Sequence, residues 1–198
     1  MLILVRHGES TGNAEGRLLG RMDSPLTDRG LAQARSLADS VGGATRLISS
    51  PLARARDTAE ALGTGLPVEI DDRWVEVDYG EFDGQKLGDV PAEVWMQWRS
   101  DPGFVPPGGE SLAAAGMRVR AACEELLADP DGPARGDGVV VVVSHVSPIK
   151  AAACWALGLG DEGAWRLYLA NASVTRITGG PGGPVLAGFN HTPWSGSA

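Results

Sequence analysis

Lysine is almost missing from this chain: of its 17 basic residues only Lys86 and Lys150 are lysines, and arginine carries the rest of the positive charge. Acidic residues number 25, for a net charge of -8, which argues against a general nucleic-acid binder because phosphate backbones are held by clustered positive charge. A local basic pocket stays compatible with that balance, and arginine is the better bidentate partner for phosphate oxygens. Cysteine is scarce as well. Cys123 and Cys154 fall in alanine-rich, helix-like segments without CxxC or Cys/His spacing, the pattern of buried, reduced thiols in a cytoplasmic protein. Only three histidines are present, one of them His191 near the tail, so no metal site and no cofactor is expected. No apolar run approaches the roughly 20 residues that span a bilayer, so no membrane association is expected, and MLILVRHG reads as a first strand and not as a signal peptide.

What is present suits one globular domain. The chain has 198 residues, 43% of them hydrophobic, enough to bury about 70% of the unfolded surface. Leu2 to Val5, and the five valines from Val139 to Val143, are continuous apolar runs of the kind found in strands covered on both faces. Each run is soon followed by a histidine. Thr27 caps a helix whose apolar positions are Leu31, Ala34, Leu37 and Val41, closed by Gly42 and Gly43; a strand follows near Arg46 to Ser49, then a helix from Leu52 to Leu62. A long helix is read from Ser111 to Asp129, followed by a glycine-rich loop. After the valine strand, Ser147 as cap and Pro148 at the first helical position start another helix. Further strands are read at Ser173 to Thr178 and Val185 to Phe189.

This alternation predicts an α/β fold, a three-layer sandwich with a mainly parallel central sheet flanked by helices. Residues 1–192 form the domain, 193–198 a frayed tail. Residues 71–110 stand apart, with Trp74, Tyr79, Phe82, Trp95 and Trp98 among acids, glycines and prolines. They read as a lid or specificity insertion with one short helix near Pro91 to Arg99.

In parallel sheets ligands bind beyond the carboxyl ends of the strands, which is where His7 and His145 fall. A lone histidine after a strand is more often structural. Two of them, one flanked by Arg6 and a glycine, point to a shared pocket. GLGDEG at 158–163 matches GxGxxG but follows a helix and not a strand, so it is set aside as a dinucleotide site. No GxSxG elbow or GxxxxGK[ST] loop is present.

The run LVRHGESTGN, residues 4–13, resembles the signature of the histidine phosphatase, or phosphoglycerate mutase-like, superfamily. SPLARARDTA at 50–59, VEVDYGEFDG at 75–84, PPGGES at 106–111 and VVSHVSPIK at 142–150 follow in the family's order. The last of these looks most like α-ribazole phosphate phosphatases. The resemblance implies a metal-independent phosphomonoesterase acting on a small phosphorylated metabolite through a phosphohistidine intermediate. By the same resemblance His7 is the nucleophile, Arg6, Asn13, Arg54 and His145 bind the phosphate, and Glu76 is the proton donor. Glu9 and Glu110 match positions where hydrogen-bonded support of neighbouring groups is expected.

Each role has a plainer rival. Arg6 and Arg54 taken singly could be surface ion-pair formers, as Arg56 on the other side of the same helix is expected to be. Asp72, Asp78, Glu81 and Asp83 compete with Glu76 as the acid. Many family members have glycine where Val146 stands, which implies a less permissive backbone after the second histidine. The alternatives to a phosphatase are a mutase, for which the chain looks short, and a catalytically silent phosphate- or phosphoprotein-binding module. Nothing in the sequence sets the oligomeric state.

Overall fold

A computed structural model of the chain describes residues 1–128 and 138–194. The glycine-rich loop before the valine strand, and the tail from residue 195 on, lie outside them. The strands are β1 (Leu2–Arg6), β2 (Ala44–Ser49), β3 (Val68–Ile70), β4 (Val139–Ser144), β5 (Val174–Gly180) and β6 (Gly183–His191). The helices are α1 (Thr11–Ala14), α2 (Asp28–Arg35), α3 (Ala53–Ala61), α4 (Ala92–Ser100), α5 (Leu112–Ala128) and α6 (Val146–Ala156). Strand order is β3-β2-β4-β1-β5-β6. The first four strands run parallel and β5 and β6 are antiparallel to their neighbours, so the sheet is mixed but mainly parallel, as expected.

Alternation along the apolar strands explains the layers. Leu2, Leu4, Val140 and Val142 face one side and pack with Trp74, Val119 and Ala122, whereas Ile3, Val5, Val141 and Val143 face the other and pack with Leu37, Ala55 and Leu62. Successive side chains of a strand point to opposite faces, so the continuous valine run fills two cores at once. Cys123 and Cys154 are buried free thiols, and burial pushes both thiols up from their ordinary value.

Three local expectations need correction. The helix capped by Thr27 does not run on to Gly42: it ends at Arg35, and a 3-10 turn follows at Ala38–Val41. The Ser36 hydroxyl donates to the Gln33 carbonyl at 2.7 Å, the kind of local bond that competes with helix propagation. Second, α6 starts at Val146 with His145 in the cap position, and Ser147 lies inside the first turn without capping it. Third, the expected strands omitted β3, a short edge strand whose side chains are mostly exposed and so carry no apolar pattern.

The segment 71–110 is tied down by its aromatic residues. Trp98 packs with Leu18, Val90 and Val94, bordered by Tyr79, Phe82, Trp95 and Phe104. Trp74 goes deeper. It is fully buried in the core under α5, and its carbonyl accepts the Ser144 hydroxyl at 2.6 Å. Trp74→Ala should therefore lower the unfolding free energy by about 3–5 kcal/mol, the range for emptying a large aromatic site. Urea unfolding monitored by circular dichroism measures this, and a loss below about 1 kcal/mol would contradict the packing described.

Candidate active site

His7 follows β1 directly, and the sheet's hydrogen bonding continues past the strand end to hold it. Its amide donates to Ser144 O at 3.0 Å, and Ala172 N donates to His7 O at 3.1 Å. Ala172 itself has φ of 48°, a conformation unfavourable for a residue with a Cβ. The glycine after His7 has a steric reason: a Cβ on Gly8 would collide with the Gly30 carbonyl. The Gly8 amide donates to the Thr58 hydroxyl at 3.1 Å, tying the loop to α3.

The His7 ring lies 5.0 Å from that of His145, centroid to centroid, and both are buried. His7 Nδ1 is 2.7 Å from Gly8 O. A carbonyl only accepts, so Nδ1 carries the hydrogen and Nε2 is left with its lone pair. His145 Nε2 pairs with Ser50 Oγ at 2.7 Å, while His145 Nδ1 is buried without a hydrogen-bond partner among the described residues.

Arg6 and Arg54 are not surface ion-pair formers. Arg54 is fully buried and donates to Met22 O at 2.8 Å and Gly20 O at 2.7 Å, and Arg6 donates to Leu169 O at 2.6 Å. Neither has a carboxylate within ion-pair distance among the described residues, and the Nε of each is buried without a partner. Burial draws the Arg6 guanidinium down to about 10 and also lowers Arg54, and nearby Glu76 opposes both shifts. Both remain cationic at neutral pH. Arg56 is exposed, as the helix period requires.

Of the competing acids Glu76 is the buried one, 3% exposed. Its carboxylate accepts the amides of Val77 at 2.8 Å, Val146 at 3.0 Å and Ser147 at 3.2 Å. A distant side chain thus supplies the cap of α6, which Ser147 was expected to provide, and it is fixed there by free helix-terminal N–H groups. Val146 brings no backbone strain, since it lies in the first turn of a right-handed helix. Asp83 accepts the amides of Gly20 at 2.7 Å and Met22 at 2.8 Å, and so holds the loop that holds Arg54. Asp78 accepts from Gly80 N at 2.8 Å, and Asp72 and Glu81 are exposed.

Asn13 Oδ1 accepts from Ser10 N at 3.2 Å and Asn171 Nδ2 at 3.0 Å, which leaves the Asn13 NH2 as its uncommitted end. Glu9 accepts from Thr27 Oγ1 at 3.0 Å and pairs with Arg29 at 3.4 Å. Glu110 takes Arg118 through both carboxylate oxygens at 3.0 Å, and Arg118 in turn donates to Arg73 O at 2.6 Å, next to Trp74 and the Glu76 segment. Sequence reasoning missed Ser50, Asn171 and Arg118. Ser50 stood within a motif already singled out, whereas Asn171 and Arg118 carried no motif.

The family model of the histidine phosphatase superfamily (branch 1) matches residues 2–192. The chain belongs to that superfamily. Among curated histidine phosphatase relatives, glucosyl-3-phosphoglycerate phosphatase of Mycolicibacterium vanbaalenii is 34% identical over all of this chain and 95% of its own length. A bifunctional protein of Mycobacterium tuberculosis is 35% identical over 88% of this chain but 49% of its own, so the chain spans about half of that relative. A solved mycobacterial glucosyl-3-phosphoglycerate phosphatase superposes with a TM-score of 0.85 at 32% identity, covering 96% of this chain and 98% of the other. An Escherichia coli protein assigned as an alpha-ribazole-5'-P phosphatase superposes at 0.82 with 26% identity over 96% of each chain.

The two histidines give the site a pH signature. Burial, then the charge of Arg54, holds both rings well below their ordinary 6.5. The unfolded chain therefore binds protons near pH 6.5 that the folded site refuses, so stability falls as pH drops through that value, from about pH 7.5 toward about 5.5. Urea unfolding at the two pH values should show this loss in the wild type and much less of it in a His7→Gln, His145→Gln double variant. Equal losses in both proteins would place the titration elsewhere.

Proposed function

We propose that this chain hydrolyses a small phosphomonoester, with His7 as nucleophile. The supporting observation is the set of buried nitrogens beside His7 that have no hydrogen-bond partner among the described residues: the Nε donors of Arg6 and Arg54, and His145 Nδ1, which is a donor when His145 Nε2 accepts from Ser50; both guanidinium groups also lack an ion pair among the described residues. A dianionic phosphoryl group answers both needs, because it brings negative charge and several acceptor oxygens. Arginine supplies the positive charge that metal ions supply in many phosphoryl-transfer sites.

His7 Nε2 attacks phosphorus while the bond from phosphorus to the alcohol oxygen breaks, and Arg6, Arg54, His145 and Asn13 take the equatorial oxygens. Glu76 gives its proton to the departing alkoxide. In the second step water attacks phospho-His7, the carboxylate of Glu76 takes the water proton, and the P–N bond breaks to release phosphate and restore His7.

The wild type given a phosphomonoester and quenched in alkali should carry acid-labile phosphate on His7, and His7→Ala should carry none and turn over at background. Turnover near wild type in His7→Ala would place the nucleophile elsewhere. Release of inorganic phosphate separates hydrolysis from return of the phosphoryl group to a substrate isomer, which a mutase would produce.

Glu76→Gln discriminates among leaving groups. Alkyl phosphates, whose alkoxides need a proton, should lose about 10²- to 10⁴-fold, and p-nitrophenyl phosphate much less in its first step. With the aryl substrate the variant should give a burst of p-nitrophenol and accumulate phosphohistidine. Equal losses across leaving groups, with no accumulation, would assign the proton to another acid.

A further inference from the structure

Val146 and Ser147, whose amides bind Glu76, also line a pocket of about 120 Å³. Its walls include Trp95, Trp98, Trp165 and Tyr79. Trp95 meets Trp98 edge-on at 5.2 Å and Trp165 at 6.3 Å, and Tyr79 meets Trp98 at 5.4 Å, so each ring is braced by another. The size fits one ring, since a cavity of roughly 150 Å³ lined by apolar side chains accepts benzene.

Polar groups in the pocket are few. The Tyr79 and Ser147 hydroxyls lie 3.2 Å apart and pair with each other. Lys150 is different. It lines the same pocket and is half-buried, yet no carboxylate lies within ion-pair distance of it among the described residues. Burial pulls its ammonium down, opposed only in part by the charge of Glu76. An ammonium drawn out of water gains most from an anion brought to it. Ser147 and Lys150 are three residues apart on α6, so the second lies one turn along the same face from the first.

We infer that this pocket holds the alcohol portion of the substrate, and that the preferred substrates are phosphomonoesters of an alcohol bearing one flat apolar ring with a carboxylate that Lys150 binds. The inference rests on the phosphomonoesterase reading for its place beside the reacting phosphoryl group. A polyol finds little here, because the two hydroxyls are engaged with each other and, Lys150 apart, the remaining side chains of the walls are aromatic or aliphatic. Stacking selects the ring, and the unpaired cation selects its acid substituent.

The test compares methyl-, benzyl- and 3-carboxybenzylphosphonate as ligands by calorimetry, and the matching phosphates, all with alkoxide leaving groups, as substrates by kcat/KM, all with the full chain. Benzyl should exceed methyl, and carboxybenzyl should exceed benzyl, each by about tenfold, the effect of one modest contact. Lys150→Met should bring the carboxybenzyl-to-benzyl ratio to within about twofold of one, and Trp165→Ala should shrink the benzyl-to-methyl ratio, with circular dichroism checking that each variant folds. Equal affinity for the three ligands, or a carboxylate preference that survives Lys150→Met, overturns the inference. Hydrolysis of all three phosphates at equal kcat/KM would leave the phosphatase reading standing and this one not. A Lys150-dependent preference in binding, without turnover of any phosphate, would do the reverse.

Discussion

Two guanidinium groups withdrawn from water, with no carboxylate partner among the described residues, set the terms for everything around them. Arg6 and Arg54 are answered by the carbonyls of Leu169, Gly20 and Met22, which satisfy hydrogen-bonding geometry but leave the charge standing. An uncompensated buried charge destabilises a fold by several kcal/mol, so it persists only where the surroundings over-determine its position. Here β1 lies between β4 and β5, and Arg54 rises from a helix whose neighbouring loop is clamped by Asp83. The same charge acts on the histidines, reinforcing burial in keeping both rings neutral. A neutral imidazole with Nδ1–H committed to Gly8 O presents a lone pair at Nε2, the form a nucleophile requires.

Backbone geometry near His7 follows from the same demand for close placement. A Cβ on Gly8 would collide with the Gly30 carbonyl and one on Gly30 with the Glu9 backbone, so neither position tolerates a side chain, and Ala172 accepts a left-handed conformation while its amide holds the His7 carbonyl. Strain of this kind, of order 1 kcal/mol or more for a residue with a Cβ, collects where neighbouring structure leaves no alternative. It is local to the segment on which His7 depends.

The features visible in the sequence were those written in short-range periodicity. A continuous valine run can only be buried on both faces, which forces a layered sheet and puts the following histidine at a strand end. The helical period separated Arg54 from Arg56. What stayed hidden runs through contacts distant along the chain: Glu76 capping α6 from 70 residues away, Ser50 meeting His145 across 95, and Arg118 linking Glu110 to the Arg73 carbonyl. Local rules named Ser147 as the cap because serine usually caps its own helix. The Glu76 carboxylate took that place because it reaches two successive free amides, which a serine hydroxyl inside the first turn does not. Edge strand β3 was missed for the opposite reason, since exposed residues leave no pattern to read.

On the proposed reading, the two halves of a phosphomonoester meet different parts of the fold. The phosphoryl half meets β1, the start of α3 and His145, all anchored in the two cores. The alcohol half meets α6 and the aromatic cluster of 71–110. Helix α6 bridges them, because its first amides hold Glu76 while Val146, Ser147 and Lys150 line the pocket. One rigid element therefore sets both where the proton stands and where the leaving group sits, so a substrate seated against α6 brings its oxygen into register with Glu76. The opposite wall is carried by α4 and the 3-10 turn at Asp161–Arg166, through Trp95, Trp98 and Trp165, none of which belongs to either core flanking the sheet. Substitution there can change which alcohol is accepted while the buried arginines and histidines keep their geometry. A sheet-bound transfer site beside a separately carried pocket is thus a physical route to many substrates on one fold.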